Sequence, residues 1–203
     1  MSTVAVRAGS RPLAGADVRL DRILLAVFVG IAVWHGSRAA WIELKAEIAQ
    51  RLMLRAWSRS QDGEGVRPWP WADTHPIARL TVPRLGVDQL VLAGASGRTL
   101  AFGPGHLAGT ALPGSPGNAV ISGHRDTHFA FLRELRISDP LVVEGRDGRR
   151  HRYAVQSTEV VDRSQLRVAA TTGDARLTLV TCYPFDALRP GGPLRYVVVA
   201  RAE

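Results

Sequence analysis

Apolar residues change rhythm three times along this chain, and each rhythm predicts a different element. From Ile23 to Trp34 the residues form an unbroken apolar run of twelve, interrupted by His35, Gly36, Ser37 and Arg38 and resumed by Ala39-Ala-Trp-Ile42. Twelve residues are short for a membrane span, which takes about 20. With His35 tolerated and Arg38 snorkelling near one end, residues 23–42 reach that length. We read 23–42 as a single transmembrane anchor. The alternatives are a cleaved signal peptide, with Ser37-Arg38-Ala39 as a poor small-x-small site, and a buried core helix. Residues 1–22 form a polar, basic leader with Arg7, Arg11, Arg19 and Arg22. That places the N-terminus in the cytoplasm by the positive-inside tendency, against which stand Lys45, Arg51, Arg55 and Arg59 beyond the span.

The second rhythm has a period near four. Leu44, Ile48, Leu52 and Ala56 recur beside Met53 and Trp57, and Glu47 precedes Arg51 by one helical turn. This predicts an amphipathic helix over 43–60 that packs on the domain rather than lying along a membrane surface. Residues 61–76 follow as a linker whose Pro68-Trp-Pro-Trp71 centre is stiff and apolar, so it is expected to lie on the domain.

From Ile77 the rhythm is alternation. Strands are predicted at Ile77–Val82, Gln89–Leu92, Asn118–Ser122, Leu141–Glu144, Arg152–Val161, Arg176–Thr181 and Leu194–Ala200. Asp147-Gly148 closes a hairpin between two of them. Ser96 caps a short helical turn over 96–102, Gly103 to Gly117 reads as a long loop, and Phe129 to Leu135 as one or two turns of helix. Many short strands with few helices suggest a closed antiparallel barrel or a sandwich over residues 77–203.

Composition narrows the function. The 203 residues are 46% hydrophobic, so the chain is globular. Its net charge of +8 comes from 25 arginines and a single lysine, Lys45, scattered from Arg7 to Arg201 with no interleaved aromatic block. That argues against nucleic acid as a partner. The one cysteine, Cys182, excludes an internal disulfide and a cysteine-built zinc site. Most free cysteines are small buried hydrophobes. This one ends a β-favouring run, Leu177-Thr-Leu-Val-Thr181, two residues before Pro184, and a strand end is where a nucleophile is both rigid and reachable.

Two further polar residues stand at strand ends, His124 after Asn118–Ser122 and Arg195 before Tyr196–Val199. Together the three suit acyl transfer. A thiolate attacks a carbonyl, an imidazole protonates the leaving amine, and a permanent guanidinium favours the anionic intermediate or pins the substrate backbone. Each residue alone has an ordinary structural use. His106 and His128 are rival imidazoles. His124 ranks first because it follows a strand and a glycine that allows close approach. Arg189 is a rival to Arg195, and Asp126 is expected to pair with Arg125 or cap a turn. Ser122, Gly123 and Thr181, flanking His124 and Cys182, are the candidate substrate-binding positions.

In combination, Thr178-Leu-Val-Thr-Cys182, Leu194-Arg-Tyr-Val-Val198 and Gly123-His-Arg-Asp126 resemble the active-site set of sortases, the membrane-anchored cysteine transpeptidases. Gly103-Pro-Gly-His106 and Pro113-Gly-Ser-Pro-Gly-Asn118 resemble that family too, over residues 77–200 in all. The hydrophobic N-terminal segment, Trp69-Pro-Trp-Ala-Asp73 and Cys182-Tyr-Pro-Phe185 resemble the group found in Gram-negative proteobacteria. The resemblance implies an eight-stranded β-barrel with short helices. It also implies cleavage of a Leu-Pro-x-Thr-Gly-like C-terminal sorting signal between Thr and Gly, and resolution of a thioacyl intermediate by an amine acceptor. Carried over, Cys182 is the nucleophile, His124 the acid/base and Arg195 the oxyanion or substrate-positioning group. The chain is then a single-pass protein of the cytoplasmic (inner) membrane with its barrel on the periplasmic side. Some sortases use calcium, but no carboxylate cluster has calcium-loop spacing, so no cofactor or metal is expected. Free thiols and imidazoles titrate near about 8.5 and about 6.5, which predicts slow turnover and a bell-shaped pH–rate profile. The competing functions are a sorting-signal protease with water as acceptor and a non-catalytic peptide-binding barrel.

Overall fold

A computed structural model of the chain describes residues 14–60, 65–167, 173–189 and 191–203, with side chains from residue 20. The leader up to residue 13 and linker positions 61–64 lie outside the described residues. The chain divides into two compact units, Met1–Ala46 and Glu47–Glu203. Helix α1 spans Ala14–Arg59, so the polar residues His35–Arg38 do not break it. The Ser37 hydroxyl donates to the Trp34 carbonyl at 3.0 Å, and the Arg38 guanidinium lies over the Trp34 ring. In the first unit Ile23, Phe28, Trp34 and Trp41 are all exposed. Among the described residues Leu20–Arg59 is the one helical stretch long and apolar enough to cross a membrane.

The second unit contains the last turns of α1 and the β domain. The buried helix face is Met53, Ala56 and Trp57, whereas Leu44 and Ile48 are exposed. A row of i, i+4 positions drifts about 40° around a 3.6-residue helix at each step, so Leu44 and Ala56 cannot share a face. Gln50 donates to the Phe102 carbonyl at 2.9 Å. The linker lies on the domain through Trp69, whose ring meets Phe102 edge-on, and through buried Ala72, while Trp71 stays exposed.

Eight strands close a barrel: β1 (Pro76–Val82), β2 (Val87–Ala93), β3 (Gly105–His106), β4 (Gly117–Ser122), β5 (Pro140–Gly145), β6 (Arg150–Asp162), β7 (Ala175–Cys182) and β8 (Leu194–Ala202). Around the barrel they run β1-β2-β3-β4-β7-β8-β6-β5. Between β2 and β3 lies α2 (Gly97–Leu100), whose Ser96 cap accepts from the Thr99 N–H. Alternating residues such as Leu80, Val91, Ile121, Val143, Leu179 and Val198 fill the interior, joined by Phe129 and Leu132 from the segment after β4.

Two features depart from the pattern predicted by alternation. β3 is only two residues long and lies in the glycine-rich loop. A Cβ on Gly105 would sit 2.2 Å from the Gly94 carbonyl oxygen, so this pairing admits glycine alone. The barrel is also mixed rather than wholly antiparallel, since β2/β3 and β4/β7 pair in parallel. Parallel partners need a long crossover, and β5 and β6 supply it between β4 and β7. At the far end of β1, Arg84 donates through Nε and Nη2 to the Asp139 carboxylate at 2.8 and 2.7 Å, and the Arg136 N–H adds a third bond. The bonds from Arg84 hold the Asp139 carboxyl below the usual carboxylate range.

Candidate active site

The parallel pairing of β4 with β7 sets the geometry of the site. Ser122 lies opposite Val180, and His124 follows two residues later, where the chain leaves β4 and turns. On the other side of β7, Cys182 is directly opposite Arg195 of β8. Alternation then fixes the face. Ile121, Leu179 and Val198 point into the core, so Ser122, Val180, Cys182, Arg195 and Val197 point outward. Adjacent strands lie about 4.8 Å apart, so the end of β4, Cys182 and Arg195 share roughly 10 Å of outer surface. Cys182 is free and half-buried. His124 is exposed and Arg195 half-buried.

Several bonds hold this row in place. The Gly123 N–H donates to the Val180 carbonyl at 3.2 Å, which extends the β4/β7 ladder past Ser122. The Thr181 hydroxyl donates to the Gly123 carbonyl at 2.8 Å. The His124 carbonyl accepts from the Phe129 N–H at 2.9 Å. Close approach at Gly123 is real: a Cβ there would lie 2.7 Å from the Phe129 ring. Arg195 donates through Nη1 to the carbonyls of Gly192 and Leu194 at 2.9 and 2.8 Å. Among the described residues none accepts a hydrogen bond from its Nε or Nη2.

Below the row the outer surface turns apolar. Val120, Val180 and Val197 form a buried cluster outside the barrel, with Val161, Leu166 and Val199 packed on it. Its β7 member, Val180, precedes Cys182 by two residues on the same face of the strand.

A family model, described as the sortase domain, matches residues 80–203, more than half of the chain. The chain belongs to the sortase family. It is 29% identical to sortase D of Bacillus subtilis over 123 residues, covering 60% of this chain and 61% of that protein. It is 27% identical to sortase A of Listeria monocytogenes over 110 residues, covering 52% and 49%. The matched part thus spans less than two thirds of either relative. Among solved structures, sortase A from Corynebacterium diphtheriae matches with a TM-score of 0.59 and 28% identity, covering 66% of this chain and 63% of that one. Sortase C-1 from Actinomyces oris matches with a TM-score of 0.55 and 30% identity, covering 63% and 72%.

Within this sortase barrel the other polar residues sort by their surroundings. Thr181, expected to line the pocket, is 1% exposed and points inward, where strand parity sets it one residue out of phase with Cys182. Ser122 is half-buried on the outer face. The buried His106 is engaged within its own loop, its Nε2 lying 2.8 Å from the Ala111 carbonyl oxygen and 3.1 Å from the Thr110 hydroxyl. His128 is half-buried, and burial, then the nearby His124, lower its pKa. Arg189 is exposed. Asp126 accepts from Arg125 at 3.0 Å, as its position next to that residue suggested.

Two elements of the site escaped sequence reasoning. The outer apolar cluster had a signal, because Ala119-Val-Ile121 and Val197-Val-Val199 are apolar at consecutive positions, as in strands covered on both faces. Arg125 had none. Its guanidinium is buried and bonds to carbonyls some sixty residues away. Among the described residues no three His, Cys, Asp or Glu side chains come together as a metal site.

Proposed function

We propose that this chain is a membrane-anchored cysteine transpeptidase that cleaves a Leu-Pro-x-Thr-Gly-like C-terminal signal between Thr and Gly and passes the thioacylated protein to an amine. The observation that carries this reading is that Cys182 pairs directly with Arg195 across β7 and β8 while β4, paired parallel to β7, ends beside them two residues before His124. Cys182 Sγ attacks the threonine carbonyl carbon. The electron pair moves to oxygen, where the Arg195 guanidinium offers charge-assisted donors. His124 gives its proton to the glycine nitrogen as the C–N bond breaks, leaving a thioester on Sγ. An incoming amine then loses its proton to His124 and displaces the sulfur. Ser122 and the half-buried Val161 and Leu166, which cap the Val120–Val180–Val197 cluster, receive the signal peptide, while Gly123 and Thr181 hold the backbone beside it.

The span at 23–42 anchors the protein in the cytoplasmic membrane, with residues 1–22 as the cytoplasmic leader and the barrel on the periplasmic side. Residues 43–76 connect that anchor to the catalytic barrel, residues 77–203. Trp69-Pro-Trp-Ala-Asp73 and Cys182-Tyr-Pro-Phe185 support a place within the sortase group of Gram-negative proteobacteria. No metal takes part, so added calcium or a chelator should leave the rate unchanged. The test is to incubate the full chain in detergent with a peptide library of the signal type, with and without an added amine. Mass spectrometry is expected to find a thioacyl adduct on Cys182, and an amide product only when amine is present. Hydrolysis alone in both arms would favour water as the acceptor, and binding with no adduct would end the enzymatic reading.

A further inference from the structure

Arg125 is the one buried arginine among the described residues, 3% exposed. It directly follows His124. Its Nη1 donates to the Pro184 carbonyl at 2.8 Å, and its Nη2 donates to the carbonyls of Ala187 and Arg189 at 2.6 and 2.9 Å. Its Nε reaches the Asp126 carboxylate at 3.0 Å. All three carbonyls belong to the segment that begins two residues after Cys182. Among the described residues the backbone bond within that segment is Ala187 N–H to the Pro184 carbonyl at 3.4 Å; Tyr183, just before it, donates to the Leu194 carbonyl of β8 at 3.1 Å, and Phe185 packs on the barrel core beside Tyr196. One planar fork therefore ties the backbone leaving Cys182 to the backbone leaving His124.

The choice of residue is informative. A buried cation is costly to desolvate, and apolar residues of similar volume often stabilise a fold as well or better. Asp126 returns little, because its side chain is 61% exposed. What an apolar plug lacks is direction, since only a rigid array of donors fixes three carbonyls at once.

We propose that Arg125 is a positioning residue for the sortase reaction, holding the 184–189 segment so that Cys182 and His124 keep their working separation. The inference rests on the reading of Cys182 and His124 as the reacting pair. Misplacing reacting groups by about 1 Å can cost about 100-fold in rate, so the effect falls on kcat rather than KM. Lysine places one point charge and cannot reproduce the fork.

The test uses the full chain in detergent, unmodified and as Arg125→Met, Arg125→Lys and Asp126→Asn. With a signal peptide and amine, Arg125→Met is expected to lose about 100-fold in kcat with KM within about threefold. Arg125→Lys should regain about tenfold of that loss, and Asp126→Asn should match the unmodified chain. Amide exchange should rise over 183–189 in Arg125→Met and stay unchanged in β4 and β7. Unchanged kcat with faster exchange would make Arg125 a plain structural brace and overturn the proposal. So would a rise in KM alone. If Arg125→Met does not fold, Arg125→Lys decides, and full kcat there overturns it. Cys182 alkylation by iodoacetamide separates this from failure of the sorting-signal reading, because it needs no peptide. If even the unmodified chain leaves the peptide uncut, a roughly tenfold slower alkylation in Arg125→Met, relative to the unmodified chain, still supports the proposal. An unchanged alkylation rate overturns it.

Discussion

Thr181 and Cys182 are sequence neighbours with opposite surroundings. Strand parity sends the sulfur to the outer face and the hydroxyl into the barrel, where it donates to the Gly123 carbonyl. The threonine thus acts on His124 through the backbone, one residue upstream of the imidazole. Thr181→Val keeps the shape and deletes the donor, leaving a buried carbonyl short of a partner. A loss of about 1–3 kcal/mol in urea-unfolding stability is expected. A larger fall in kcat than in kcat for a comparably destabilised core variant such as Leu177→Val should accompany it. Thr181→Ser should restore both, and equal effects in the two variants would leave Thr181 no part beyond packing. At this scale the sequence was legible where chemistry is local. A glycine before a strand-end histidine implied close approach, and the Phe129 ring 2.7 Å from where a Cβ would lie is that approach. It was not legible where one side chain serves a distant backbone, as Thr181 and Arg125 do, because a donor's acceptor leaves no mark on its own neighbourhood.

Among elements, the decisive one is the parallel contact of β4 with β7. Alternation located both strands to within a residue or two, and it located the hairpin at Asp147-Gly148, since side-chain period and turn chemistry are properties of short stretches. Alternation carries no information on strand direction, so the mixed barrel and the two-residue β3 were hidden. Parallel pairing is also what puts the C-terminal ends of β4 and β7 at one rim. The consecutive apolar residues of β4 and β8 cover that rim's outer face, with Leu166 from the segment after β6 packed on it. Leu166→Asp is therefore expected to raise KM for a signal peptide about tenfold, with kcat at saturation little changed; an unaltered KM would remove the apolar cluster from the binding surface. A second link between elements, Arg84 with Asp139, sets acid sensitivity. The folded Asp139 carboxyl titrates below its unfolded value of about 3.9. Its stabilisation is complete above that value and is lost as pH falls through the lower folded one. Asp139→Asn should lower the urea midpoint at pH 7, and the gap to the unmodified chain should narrow progressively as pH falls below about 3.9. A gap that does not narrow would assign the effect to the loop bonds with Arg136 instead.

At the scale of the whole molecule, the useful boundary is the one between Ala46 and Glu47, within α1 and well ahead of the first strand. Met53 and Trp57 are 1% and 4% exposed, so the last turns of α1 complete a hydrophobic surface of the barrel unit rather than serving as a tether. A chain beginning at Glu47 retains them; one beginning at Ile77 does not. Burial of a tryptophan and a methionine is worth several kcal/mol, and a single Trp57→Ala change alone should cost about 3 kcal/mol or more. We therefore expect residues 47–203 to stay soluble after carbonate extraction of membranes, to unfold at the same urea midpoint as the full chain in detergent, and to turn over a signal peptide at a comparable kcat/KM. Residues 77–203 should unfold at a much lower urea concentration. The full chain should remain in the washed membrane pellet, because Ile23, Phe28, Trp34, Trp41 and their apolar neighbours in 23–42 are exposed and holding them in water is costly. Recovery of the full chain in the soluble fraction would remove the anchor from this reading while leaving the barrel chemistry intact. Equal stability of the 47–203 and 77–203 chains would show instead that the helix end contributes nothing to the fold that carries Cys182.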